Sequence, residues 1–216
     1  MLALAANESV HEGDWLIAER QTAGRGRQGR AWQSPMGNLY ASGLVQLRMG
    51  DPPAPTLALV AGVATVESLA LPELMLKWPN DVVHSRSLAK VAGILVERSE
   101  NNVVVGVGAN LAHAPDLPDR ATAYLSALGS DVSPHVLVDI LASNLAARLR
   151  DWRADVGIIY SAWSAHAHPI GTSLSAEVDG VRLDGSFDGL TPEGALQLRL
   201  ADGTTRVIHA GDVFLI

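Results

Sequence analysis

Residues 21–32 read QTAGRGRQGRAW, with glycines at 24, 26 and 29 interleaved with arginines at 25, 27 and 30. Gly24, Gly26 and Gly29 leave the backbone free to take positive φ and to approach a ligand, so that amide N–H groups can face an anion. Arg25, Arg27 and Arg30 add planar, permanently charged forks that match phosphoryl oxygens. A second cluster, Lys77-Trp-Pro-Asn-Asp81, puts a cation, an amide and a carboxylate where Pro79 must turn the chain. Asn80 and Asp81 equally suit a plain turn, but Lys77 on an apolar strand calls for an anionic partner. Lys90 heads a third run, Lys90-Val-Ala-Gly-Ile-Leu-Val, in which Gly93 leaves a gap in the side-chain row; Gly106 and Gly108 leave gaps on the neighbouring run. A slot floored by glycines and flanked by lysine suits a planar apolar ligand with one polar end. Asn110 could bond a sugar hydroxyl or phosphate, although a strand-end Asn is more often a turn former. Trp32 could stack on a purine or simply anchor the loop. Asp81 could help hold Mg²⁺, an ion bound by one or two carboxylates together with nucleotide phosphates.

These residues need ordered elements around them. A strand-like run starts at Trp15 and another spans residues 38–47, so the arginine loop is bracketed rather than a tail. Residues 2–9 suit a helix, and Pro53 and Pro55 introduce an apolar periodic helix to Leu69. Residues 74–78 suit a short strand, and residues 90–98 and 102–110 an antiparallel hairpin at the centre of a sheet. Ser133 and Pro134 cap a long amphipathic helix to about Trp152, and a shorter helix covers residues 156–163. After His168, turn signals at Asp179-Gly180, Asp188-Gly189, Glu193-Gly194, Asp202-Gly203 and Gly211-Asp212 predict a small all-β barrel. The predicted domains are 1–167 and 168–216.

Composition narrows the function. The chain has 216 residues and a net charge of −7, so the arginine loop is a local positive spot on an acidic molecule, and general nucleic-acid binding is disfavoured. No cysteine is present, which removes disulfides, thiolate metal sites and cysteine nucleophiles. The seven histidines form no metal cage, with only His166 and His168 close in sequence. Neither a membrane span nor a signal peptide is legible, and a cytoplasmic protein is expected.

Taken in order, Gln21-Thr-Ala-Gly-Arg-Gly-Arg-x-Gly-Arg-x-Trp32, Lys77-Trp-Pro-Asn-Asp81, Lys90-x-Ala-Gly-Ile-Leu-Val-Glu97 and Gly106-x-Gly-x-Asn110 resemble the bacterial biotin protein ligases. The resemblance implies an α+β fold, with a class II aminoacyl-tRNA synthetase-like core of mixed sheet and helices followed by an SH3-like barrel. It implies ATP and Mg²⁺ as cofactors, biotin as substrate, and a biotinyl-5′-AMP intermediate. The partner it implies is the biotin carboxyl carrier protein of acetyl-CoA carboxylase, with a homodimer as a further possibility.

By resemblance, Gln21, Gly24, Arg25, Gly26, Arg27, Lys90, Gly93, Gly106 and Gly108 bind biotin. Arg25, Arg27, Arg30, Trp32, Lys77, Asn80 and Asn110 face the nucleotide. Arg27, Lys90 and Asp81 carry catalysis, and Asp81 also carries Mg²⁺. Two departures stand out: the family's Ser-Thr-Asn triplet would fall upstream of Met1, and no winged helix is present, so no transcriptional role is expected. A lipoate ligase, or a truncated homologue that binds without turnover, are the competing expectations.

Overall fold

The computed structural model describes residues 1–6, 9–118, 120–178 and 180–216. Its order is α1 (Leu2–Ala6), β1 (Trp15–Ile17), β2 (Leu39–Gln46), α2 (Leu57–Leu69), β3 (Leu74–Lys77), β4 (Asp81–His84), β5 (Lys90–Ser99), β6 (Asn102–Ala109), α3 (Pro134–Ala154) and α4 (Val156–His166). Five strands follow: β7 (Ser173–Val178), β8 (Val181–Leu190), β9 (Leu196–Arg199), β10 (Thr205–Ile208) and β11 (Asp212–Leu215). The parts of the predicted N-terminal helix at Asn7 and Glu8, and of the predicted turn at Asp179, lie outside the described residues.

The first sheet has six strands in the order β1-β2-β6-β5-β4-β3, with the predicted hairpin, β5 and β6, in its middle. The resemblance implied a mixed sheet, but every pairing of its named strands is antiparallel. Among the described residues, parallel contact is confined to isolated bridges, Leu76 with Ala167 and Lys90 with Thr122. Because side chains alternate along a strand, register assigns each transverse row to one face. Leu39, Ala109, Ala92, Val82 and Leu76 stand side by side across five strands and are all buried, against α2 and its neighbours. That row belongs to the core.

Helix α2 is apolar nearly all round and buried on almost every side, as expected of a helix between a sheet and other helices. Helix α3 begins as its sequence requires: Ser133 accepts from the Val136 N–H and Pro134 occupies the first turn. Its Trp152 is wholly buried and donates from Nε1 to Thr56 Oγ1 at 2.7 Å, so the indole loses no hydrogen bond by burial. The short strand β4 was not anticipated. Val82 and Val83 are buried, but Asp81 and His84 on either side hide a run of only two apolar residues.

The second sheet, β10-β9-β8-β7-β11, is also antiparallel, and its pairing leaves β10 and β11 as edges. Leu174, Ala176, Phe187, Leu196, Leu198, Ile208 and Val213 join the same apolar core as the first sheet. Trp78 Nε1 donates to the Gly194 carbonyl at 3.0 Å, and the Tyr160 hydroxyl donates to the Pro192 carbonyl, so the β8–β9 turn is pinned to the end of β3 and to α4.

Candidate active site

One row away from the core row, on the opposite face, Tyr40, Gly108, Gly93, Asp81 and Lys77 stand in register across strands β2, β6, β5, β4 and β3. All five line one cavity of about 920 Å³. The row runs from an aromatic side, over two bare backbone positions, to a carboxylate and an ammonium. Gln21, Arg25, Gly26, Arg27, Arg30, Trp32, Asn80, Lys90 and Gly106 line the same cavity. The separate sequence clusters therefore meet in one place, at the upper end of the volume range of ligand pockets.

The glycine slot exists, but its occupant was misjudged. Gly93 and Gly108 are direct cross-strand partners, and a Cβ on either would come within 3.0 Å and 2.7 Å of the Trp32 ring. The paired gaps seat the indole, rather than lying open for a flat ligand. Lys90 Nζ lies 5.4 Å from that ring's centroid, a cation–π distance. The Trp32 indole Nε1–H is buried without a hydrogen-bond partner among the described residues. Gly106 differs from its two neighbours: its Cβ position meets the Leu95 backbone oxygen at 3.3 Å and leaves the indole alone.

Lys90 Nζ donates to Asp81 Oδ1 at 2.5 Å, and both side chains are mostly enclosed. Lys77 was expected to need an anion. It makes no direct ion pair among the described residues; its ammonium lies 5.4 Å from the Phe214 ring centroid. Burial pushes the Lys77 ammonium below the usual lysine range, and the nearby charge of Asp81 counters that in part. Burial likewise lowers Arg27, with Asp212 opposing it.

The arginine loop is ordered as a miniature hairpin. Arg25 and Ala31 form a bridge, Gly26 N–H donates to the Arg30 carbonyl at 2.7 Å, and Trp32 N–H donates to the Gly24 carbonyl at 2.9 Å. The Gly26 amide is thus spent inside the loop, contrary to the expectation that it faces an anion. Of the three glycines only Gly29 takes positive φ, +73°. Gly24 is required for a different reason, since a Cβ there would lie 2.5 Å from the Trp32 carbonyl oxygen. It sits at the loop's neck and does not line the cavity.

Asn110 is a correction. It is buried outside the cavity, and its amide donates to the carbonyls of Ala123, at 3.1 Å, and Lys90, at 3.4 Å. An Asn so used braces the strand that carries Lys90 and does not line a nucleotide site in this structure. Residues that sequence reasoning missed come from the second sheet: Asp212, Val213, Phe214 and Leu215 of β11 line the cavity wall. A residue some 180 positions downstream leaves no local signal. Asn38 was missed too. Its Oδ1 accepts from the N–H groups of Leu111, Ala112 and His113, which holds the segment that follows β6.

Residues 4–110 match the biotin/lipoate A/B protein ligase family, and residues 179–216 match the biotin protein ligase C-terminal domain. A biotin--[acetyl-CoA-carboxylase] ligase of Paracoccus denitrificans is 36% identical over 93% of this chain and 89% of its own length. The chain belongs to the biotin protein ligase family. Its Mycobacterium tuberculosis relative of the same name is also 36% identical, over 99% of this chain and 83% of its own. A solved biotin protein ligase from Aquifex aeolicus, in complex with biotin and ATP, superposes with a TM-score of 0.81 at 26% identity, covering 96% of this chain and 91% of that one.

Proposed function

We propose that this chain is an ATP-dependent biotin protein ligase that activates biotin as biotinyl-5′-AMP and transfers it to a lysine of a carrier domain of acetyl-CoA carboxylase. The observation that carries the reading is the convergence of Arg27, Lys90, Asp81 and Lys77 on one cavity, in a chain whose relatives bear that activity in their names. The Aquifex aeolicus neighbour, solved with biotin and ATP, supports the same pair of ligands here.

In the first step the biotin carboxylate attacks the α-phosphate of ATP and pyrophosphate leaves. Both reactants are anions, so the protein's task is to gather positive charge where they meet and to hold them in line. Lys90 is the cation for the biotin carboxylate and the adenylate phosphate, with Gln21, Arg25, Gly26 and Gly106 at the biotin side. Arg27 and Arg30 face the phosphates, with Lys77 and Asn80, and Trp32 faces the adenine. In the second step a neutral lysine amine of the acceptor attacks the mixed anhydride, forms the amide and expels AMP. A closed arginine loop keeps water from the anhydride meanwhile.

Magnesium suits this donor set only as an ion shared with phosphate. No cluster of three or more His, Cys, Asp or Glu side chains able to cage a metal occurs among the described residues. Asp81, with Asn80 beside it, would supply the protein's part, and the ion would neutralise phosphate charge. The two sheets are read as the class II synthetase-like core, residues 1–167, and an SH3-like domain, residues 168–216. Among the described residues no helix is long and apolar enough to cross a membrane. We place the enzyme in the cytoplasm, without a nucleic-acid partner and as a homodimer.

Lipoate is the competing substrate, since the matched family spans both ligases. Calorimetric titration with biotin and then ATP, repeated with lipoate, tests the choice. Biotin binding that strengthens nucleotide binding supports the proposal, and lipoate binding in preference to biotin overturns it.

A further inference from the structure

The geometry points to Asp212 as a positioning residue, which acts through Arg30 to latch the arginine loop onto the second sheet. The inference rests on the ligase reading above. Arg30 reaches Asp212 with a two-pronged contact: Nη2 donates to Oδ1 at 2.8 Å and Nη1 to Oδ2 at 3.1 Å. A fork of this kind fixes orientation as well as distance. The preceding residue takes part, because the Gly211 carbonyl accepts from Arg27 Nη1 at 3.4 Å. No side chain fits at position 211, where a Cβ would lie 2.7 Å from the Glu177 carbonyl oxygen on β7. The receiving dipeptide is therefore held against its own sheet.

Two arginines of one loop thus dock on two consecutive residues that lie more than 180 positions away in sequence. Asp212 lines the cavity, and so do Arg27 and Arg30. Burial raises the Asp212 carboxyl, but the contact with Arg30 and the charges of Arg27 and Arg120 outweigh it, so the group stays ionised below the usual Asp range. Long arginine side chains that must meet phosphate lose rotamer freedom on doing so, and a carboxylate that orders them beforehand lowers that cost. The second sheet is in this way part of loop closure, and it acts on the adenylate's retention without touching the reacting atoms.

The test uses Asp212→Asn, Asp212→Glu, Arg30→Gln and the Asp212→Asn/Arg30→Gln pair in the full chain. Two readouts are taken: tryptic cleavage after Arg25 and Arg27 in ligand-free protein, and, with biotin and ATP, the ratio of bystander-lysine to acceptor-lysine labelling. Asp212→Asn is expected to raise both by about three- to fivefold, the factor a partly exposed ion pair can supply. Asp212→Glu should restore both, and the double variant should be no worse than either single, because all three remove one contact. Unchanged cleavage and labelling ratio, or effects that add in the double variant, would overturn the latch. A structural role alone would lower the melting temperature and leave the labelling ratio where it was, which also overturns the proposal. Wild-type protein that labels no acceptor would overturn the ligase reading only, and the cleavage readout would still decide the latch.

Discussion

Trp32 and Gly108 share one volume: a side chain at 108 would begin 2.7 Å from the indole's Cε2. Neither residue can be understood from its own neighbourhood in sequence, because the loop that carries Trp32 and the strand that carries Gly108 are joined only by folding.

Gly108→Ala is accordingly expected to unseat the indole while sparing the core row on the sheet's other face. Trp78, Trp152 and Trp163 are buried and Trp15 is partly exposed, so a red-shifted fluorescence component, read in a Trp15→Phe background, would report mainly on Trp32. Loss of a stacking surface should weaken nucleotide binding by up to roughly tenfold, the value of about 0.5–1.5 kcal/mol for an aromatic pair. An unchanged spectrum and unchanged ATP affinity would count against the seat.

Lys90 and Asp81 should separate when each is removed. Lys90→Ala is expected to reduce adenylate formation by about a hundred- to a thousandfold, as when a preorganised charge at the reacting phosphate is lost. Asp81→Asn should retain biotin binding, since it leaves Lys90 in place and frees it from its carboxylate partner. Its adenylation rate should fall by at least about tenfold if Asp81 shares an ion with the phosphates. Pyrophosphate release and calorimetry measure the two effects separately.

Arg27→Gly removes the donor to both Asn80 Oδ1 and the Gly211 carbonyl, each at 3.4 Å. The loop should close less well and release adenylate, which labels bystander lysines. Acceptor selectivity equal to wild type, scored by peptide mapping, would refute this role for Arg27.

His168 makes stability depend on pH. The ring is buried, its nitrogens lack partners of good geometry among the described residues, and it meets Phe187 edge-on with centroids 4.5 Å apart. Burial lowers its pKa below the ordinary value, offset only in part by the backbone at Pro169. A group with a depressed folded pKa binds protons more readily when unfolded, so its contribution is complete above about pH 6.5 and is lost as pH falls towards the folded value. Thermal melts should show wild-type stability declining from pH 7.5 to 5.5, with a shallower decline in His168→Phe. Parallel slopes would contradict this.

Much of the scaffold was legible because its signals are local. The glycine-marked hairpin of β5 and β6, the Ser133 cap and the apolar run of α2 each announce an element within a dozen residues. The site was legible in outline for the same reason, since Arg27, Lys77, Asp81 and Lys90 stand in dense motifs. Strand β4 escaped because a two-residue apolar run, Val82-Val83, carries no period. Asn110 was misread because a polar residue at a strand end looks the same whether its amide faces a ligand or a neighbouring carbonyl. Asp212 and Phe214 were invisible as site residues for a third reason: only the docking of the second sheet brings them to the cavity.

The most direct test is mass analysis of an apo carrier domain incubated with this protein, biotin and ATP. The account predicts a gain of one biotinyl group on the acceptor lysine, dependent on ATP and abolished by Lys90→Ala. An acceptor left unmodified by folded wild-type protein, or modified by lipoate in preference to biotin, would contradict it.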